Sequence, residues 1–137
     1  MKRRTYLKGA VAALPVGAIG TASAAVGKPG IQLHLDLAVD LSREKEMLKT
    51  FEETFKPAAS KQPGYIDVHM LKFRSAVMGK PPGDANYRFA LTFESEELRQ
   101  KWVASDIHQQ VWPAMEKFLK HKNYNVLLFD YPKTSRG

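Results

Sequence analysis

Residues 31–39, Ile-Gln-Leu-His-Leu-Asp-Leu-Ala-Val, alternate apolar and other side chains. Ile31, Leu33, Leu35, Leu37 and Val39 share one side, and Gln32, His34 and Asp36 share the other. Side chains alternate across a strand with period two, so this stretch reads as a half-buried strand. The rest of the chain has to supply a cover for its apolar side.

Three further strands follow, two of them by the same pattern. Residues 65–73 carry Ile66, Val68 and Met70 on one side and Asp67 and His69 on the other. Residues 87–93 place Tyr87, Phe89, Leu91 and Phe93 opposite Arg88, Ala90 and Thr92. Residues 124–131 form the last strand, and 78–86 hold the loop Gly79-Lys80-Pro81-Pro82-Gly83-Asp84 between antiparallel neighbours. Between the first two strands, Ser42 is the expected cap of a helix carrying Met47, Leu48, Phe51 and Phe55, which Pro57 and then Pro63-Gly64 should end. After the third strand, Ser95 caps a short helix with Leu98 and Trp102. Ser105-Asp106 then starts a second segment with Val111, Met115, Phe118 and Leu119, interrupted or kinked by Pro113.

The order is β-α-β-β-α-β. Right-handed crossovers and antiparallel pairing make it an α+β fold of the ferredoxin-like kind, a four-stranded antiparallel sheet with helices on one face and the first and third strands central. Two helices cover only one side of four strands. The second side carries Gln32, His34, Asp36, Asp67, His69, Arg88 and Thr92, with Leu71, Phe73 and apolar residues of the fourth strand among them. Such a mixed surface suits a sheet closing over a cavity with a partner sheet, so a homodimer is expected.

The 137 residues hold one domain. Residues 1–24 read as an export signal: Lys2-Arg3-Arg4, a mild apolar run over 9–20, and Ala22-Ser23-Ala24 as a cleavage site. The run is shorter than the about 20 apolar residues that span a bilayer, and no stable membrane anchor is expected after cleavage. Arg3-Arg4-Thr5-Tyr6-Leu7-Lys8 is similar to the twin-arginine motif, with Tyr6 where Phe is usual, which implies folding before export to the periplasm or beyond. Residues 25–30 are a linker, 31–132 the domain and 133–137 a polar tail. The signal holds four of the chain's 21 basic residues and none of its 14 acids, so the remainder carries only +3, weak grounds for a nucleic-acid partner. With no cysteine there is no disulfide, thiolate ligand or thiol nucleophile.

For chemistry, His34 and His69 are expected on the second side, one strand apart, with Arg88 between them and Asp36 and Asp67 near. Imidazole titrates near neutrality, so a cavity histidine beside a carboxylate can act as general acid or base. His108 follows Ser105-Asp106, and Trp102 reads first as a core residue of its helix. His121, in a Lys-His-Lys-Asn turn, reads as exposed and without a role. No HxH or HExxH spacing, phosphate loop, GxSxG or dinucleotide fingerprint occurs, so neither a metal nor a cofactor is expected.

Residues 87–97, Tyr-Arg-Phe-Ala-Leu-Thr-Phe-Glu-Ser-Glu-Glu, followed by an aromatic on the helix and then His108, resemble the stress-responsive dimeric A/B barrel (Dabb) family. Phe129-Asp130-Tyr131 and the early-strand His34 are similar to its members too, and the likeness spans residues 31–132. It implies a dimeric α/β barrel around a small hydrophobic, aromatic or polyketide-like molecule. One plant member closes a polyketide ring with two histidines and a tyrosine. His34 and His108 match the histidines, making them the candidate catalytic pair, while Trp102 stands at the tyrosine position and Ser105-Asp106 replaces the usual His-Pro. Trp102, Asp36, His69 and Arg88 would then line or orient the ligand.

Pro63-Gly64-Tyr65 and Trp102-Val-Ala-Ser-Asp-Ile-His108 also look similar to the antibiotic-biosynthesis monooxygenases of the same fold. Some of these oxidise electron-rich aromatics without a cofactor. Haem-degrading relatives place a histidine where this chain has Trp112, so the resemblance does not extend to haem. The implied function is a cofactor-independent cyclase or oxygenase, or else a ligand-binding protein without catalysis.

Overall fold

The computed structural model describes residues 27–133, and the expected export signal and polar tail fall wholly or largely outside them. β1 (Ile31–Leu37) buries Ile31, Leu33, Leu35 and Leu37 while leaving Gln32 and His34 half-exposed, as its alternation requires. β3 (Tyr87–Phe93) runs antiparallel beside it, with Leu33 opposite Leu91 and Leu35 opposite Phe89. β2 (Tyr65–Lys72) pairs with the free side of β3 and β4 (Asn125–Asp130) with the free side of β1, giving the order β2-β3-β1-β4. The fold is therefore the expected antiparallel ferredoxin-like α+β sheet, with the first and third strands central. A bulge between Tyr65 and Asp67 turns Tyr65 toward Phe93, the rings 6.3 Å apart.

The first helical stretch departs from expectation at its start and at Pro57, and ends at Ser60, ahead of Pro63-Gly64. Its cap is Asp40, whose carboxylate accepts from the Ser42 amide at 3.1 Å and the Ser42 hydroxyl at 2.7 Å. A 3-10 turn (Leu41–Arg43) leads into α1 (Glu44–Thr50), a π-helical turn (Phe51–Phe55) and α2 (Lys56–Ser60). Pro57 does not end the helix. The wide turn before it opens the ladder, the Lys56 amide reaching back five residues to the Phe51 carbonyl, so the proline enters without the clash an α-helical turn would impose. The insertion also rotates the apolar stripe. Met47, Phe51, Phe55 and Ala59 are buried, whereas Leu48 faces out.

α3 (Glu96–Ala104) starts at Ser95, whose hydroxyl accepts from the Leu98 amide at 3.2 Å. α4 (His108–Glu116) follows after a turn in which Ser105 Oγ accepts from the His108 amide at 3.3 Å, and Pro113 sits inside it. Gly64, at φ +88°, sits between α2 and β2 where a Cβ would run into Leu98. No helix among the described residues is long and apolar enough to cross a membrane.

Both helical stretches pack on the same side of the sheet. Phe55 is the centre of this layer, with Phe51, Phe89, Trp102 and Trp112 ring centroids 5.3–6.0 Å away. Truncating a fully buried ring removes its transfer energy and leaves a cavity, about 3–5 kcal/mol together. Phe55→Ala is expected to lower unfolding free energy by that amount in urea titration, whereas Leu48→Ala, on the outer face, should change it by under about 1 kcal/mol.

Candidate functional site on the open sheet face

The side of the sheet away from the helices carries three rows of side chains set by register. Asp67, Thr92, Gln32 and Phe129 form the first, His69, Ala90, His34 and Leu127 the second, and Leu71, Arg88, Asp36 and Asn125 the third. His34 and His69 share a row with one strand between them, as expected. The residue between them is Ala90, however. Arg88 lies one row on, directly opposite Asp36, because alternation moves a side chain two positions to the next row.

Asp36 and Arg88 form a two-pronged pair, Nε to Oδ1 at 2.7 Å and Nη2 to Oδ2 at 3.2 Å. The Asp36 side chain is 5% exposed and that of Arg88 42%. The carboxylate raises the guanidinium pKa through the hydrogen bond and its charge. Beside the pair lies an open cavity of about 260 Å³, walled mainly by Leu71, Phe73, Pro82 and Ala85.

His34 stands at the middle of the face. Its Nε2 is 2.7 Å from Gln32 Oε1, and its ring leans on Phe129 at 5.1 Å. Burial, and then the nearby Arg88 charge, push its pKa below the ordinary 6.5, with Asp36 pulling weakly the other way. His69 is more exposed, on the edge strand, with Nε2 3.7 Å from Asp67 Oδ2.

His108 and Trp102 are elsewhere. Both belong to the helical layer, their rings edge-to-face at 4.9 Å, and Trp102 is 1% exposed with its other side on Phe55. The sheet therefore separates His108 from His34, so the two do not face one cavity, and Trp102 packs the core instead of lining the open face. Helix residues contact only the sheet side turned toward them, which is opposite to the one His34 occupies. Burial and the Arg99 charge lower the pKa of His108.

Two features escaped the sequence reading. Gln32 and Thr92 carry the hydrogen-bond chain behind His34, a link signalled only by Gln32 standing two positions before it. His121 is not idle: its Nε2 lies 2.8 Å from Asp84, tying the β2–β3 loop to the turn before β4. Trp112 donates to Tyr124 at 3.1 Å, and Tyr124 donates to Glu116 at 2.7 Å. Among the described residues no group of three or more His, Cys, Asp or Glu side chains could hold a metal ion.

No protein-family model matches the chain, and no curated protein matches it in sequence. Its fold is nonetheless shared with solved structures. SnoaB from Streptomyces nogalater, a cofactor-independent oxygenase, is 15% identical with a TM-score of 0.60, over 79% of this chain and 98% of that one. A putative antibiotic biosynthesis monooxygenase from Bordetella bronchiseptica is 12% identical at 0.60, over 77% and 99%. Another, from Caulobacter crescentus, is 15% identical at 0.59, over 77% and 92%. The chain thus has the ferredoxin-like fold of antibiotic-biosynthesis-monooxygenase-like proteins.

The two lowered histidines give a signed pH dependence. The folded chain holds these protons less tightly than the unfolded chain, so their contribution to stability is intact above 6.5 and is lost as pH falls below it. Carboxylates with lowered values, such as Glu96, act only below their usual 4.5. Urea midpoints should therefore fall between pH 7.5 and 5, and His108→Gln should flatten that slope. An unchanged slope would speak against a strained, neutral His108.

Proposed function

We propose that two copies of the chain close their open faces around a small aromatic molecule, and that the protein is a cofactor-independent oxygenase of the antibiotic-biosynthesis-monooxygenase type. The observation that carries this reading is the polar centre of the open face, His34, Gln32, Asp36 and Arg88, framed by exposed Leu71, Phe73, Leu127 and Phe129. Aromatic binding sites have this composition, an apolar frame around a few convergent polar groups.

In the proposed reaction His34 takes a proton from an activated methylene or phenol, leaving the electron pair on the ligand. Dioxygen accepts the electrons. For an activated CH2 between two aromatic rings, CH2 and O2 become C=O and H2O, with no further reductant. Arg88 would donate its unpaired N–H groups to the oxygen where charge develops. Separation of His34 from His108 favours this single-base chemistry over two-histidine ring closure. The same separation supports a second reading, a ligand-binding protein of the stress-responsive barrel kind without turnover.

Dihydroxyanthrone is a suitable probe, followed by quinone absorbance and oxygen uptake. The expected result is turnover that stops without oxygen and falls about 100-fold or more in His34→Ala, as for loss of a general base. Binding without turnover supports the second reading, and neither binding nor turnover overturns both. Sedimentation should give a dimer that Phe129→Asp dissociates.

Export through the twin-arginine route is the proposed address, supported by Arg3-Arg4-Thr5-Tyr6-Leu7-Lys8. A reporter fused to residues 1–30 should be translocated, and Arg3-Arg4 changed to Lys-Lys should abolish this. Unchanged translocation would contradict the route.

A further inference from the structure

The proposed role of His34 as proton acceptor leaves open which of its nitrogens does the work, and its neighbours decide this. Gln32 stands two positions earlier on β1, hence on the same face. Its amide has three polar contacts. The nitrogen lies 3.0 Å from Thr92 Oγ1 and 3.3 Å from the Tyr131 hydroxyl, while the oxygen lies 2.7 Å from His34 Nε2. An amide nitrogen only donates and an amide oxygen only accepts. With the oxygen turned to the imidazole, the hydrogen in the 2.7 Å contact must belong to Nε2. A neutral imidazole has one N–H, so Nδ1 keeps its lone pair, and it has no hydrogen-bond partner among the described residues. Thr92, 2% exposed and directly opposite Gln32, anchors the amide from a central strand.

We propose that Gln32 is a positioning residue that fixes His34 as the Nε2–H tautomer, so that Nδ1 is the atom that accepts a proton from a ligand in the barrel. The step breaks an O–H or activated C–H bond of the ligand, leaves the pair on the ligand and forms N–H at Nδ1. The resulting imidazolium keeps its Nε2–H bond to Gln32. A neutral amide suits this task better than a carboxylate. It orients the ring without making it so basic that it is already protonated at neutral pH. The charged groups around the ring are Asp36 on its own strand, Arg88 on β3, and His69 and Asp67 across on β2. β4 faces it with Leu127 and Phe129, with neutral Asn125 one row on and the Tyr131 hydroxyl just beyond, against Gln32. This deepens the oxygenase reading, which needs a base on the open face, but is tested without any ligand.

Two-bond 1H–15N spectra of the full chain carrying 15N-histidine report the tautomer directly, with the His34 signals assigned by their loss in His34→Asn. Above pH 7 the expected pattern is a protonated Nε2 and a bare Nδ1. Gln32→Leu, its fold checked by circular dichroism, should lose this pattern and move toward a mixture of the two tautomers. Gln32→Glu keeps the acceptor, so it should preserve the pattern and raise the His34 titration midpoint. A wild-type ring protonated at Nδ1, or a tautomer unmoved by Gln32→Leu, overturns the proposal. Should Gln32→Leu not fold, Gln32→Glu decides alone, an unmoved midpoint counting against. No probe molecule is present, so these outcomes stand apart from failure of the anthrone assay.

Discussion

The register of β1 against β3 is the constraint from which the rest follows. Leu33 and Leu35 meet Leu91 and Phe89 on one side of the sheet, while Gln32, His34 and Asp36 meet Thr92, Ala90 and Arg88 on the other. A slip of β1 by one residue would turn its side chains to the opposite sides, placing an imidazole and a carboxylate against the aromatic layer and parting Asp36 from Arg88. Burying those groups without partners costs several kcal/mol each. The core therefore enforces the open face: the aromatic layer under the helices specifies which residues are left on the other side, although it touches none of them.

Within that face the Asp36–Arg88 pair sets the electrostatics. Its members stand directly opposite on the two central strands, so the pair also reinforces the register that creates it. Asp36 is almost wholly covered while Arg88 is partly open to the cavity. The carboxylate is thus committed to the protein, and the guanidinium retains donors for something else. It also helps hold His34 neutral, since its charge acts on the ring more strongly than that of Asp36. A neutral imidazole beside a positive donor is what the proposed proton abstraction would use.

Much of this was legible in the sequence because strands announce themselves by period two. The alternations of residues 31–39 and 87–93 gave the central strands, their burial and the open-face set without ambiguity. The first helix was harder. Its Ser42 start was wrong by two residues because Asp40 out-competes it as a cap, and Pro57 was a false stop because a π-helical turn, which has no sequence period of its own, admits it. The site was legible one residue at a time and not as a constellation. His34, Asp36 and Arg88 were placed on one face correctly, but spacing within each strand could not show that Ala90, and not Arg88, faces His34. The His34–His108 pairing came from resemblance, and the sheet that divides them is a feature of packing in three dimensions. Gln32 was passed over because an amide acquires a role only through its partners.

The edge strand β4 carries the argument for a covering partner further than the open face does. Leu127 and Phe129 point to the open side, but Val126 and Leu128 point to the helical side and are also 55% and 45% exposed. The helices reach across β2, β3 and β1, and stop there. An unpaired edge with apolar side chains on both faces invites pairing, and proteins usually blunt such edges with charge or proline. Here four consecutive apolar residues, Val126 to Phe129, come before the charge and the proline, Asp130 and Pro132. A small ligand would cover the open side alone. A second copy that closes over the open face and also wraps the β4 edge, as proposed above, would cover both.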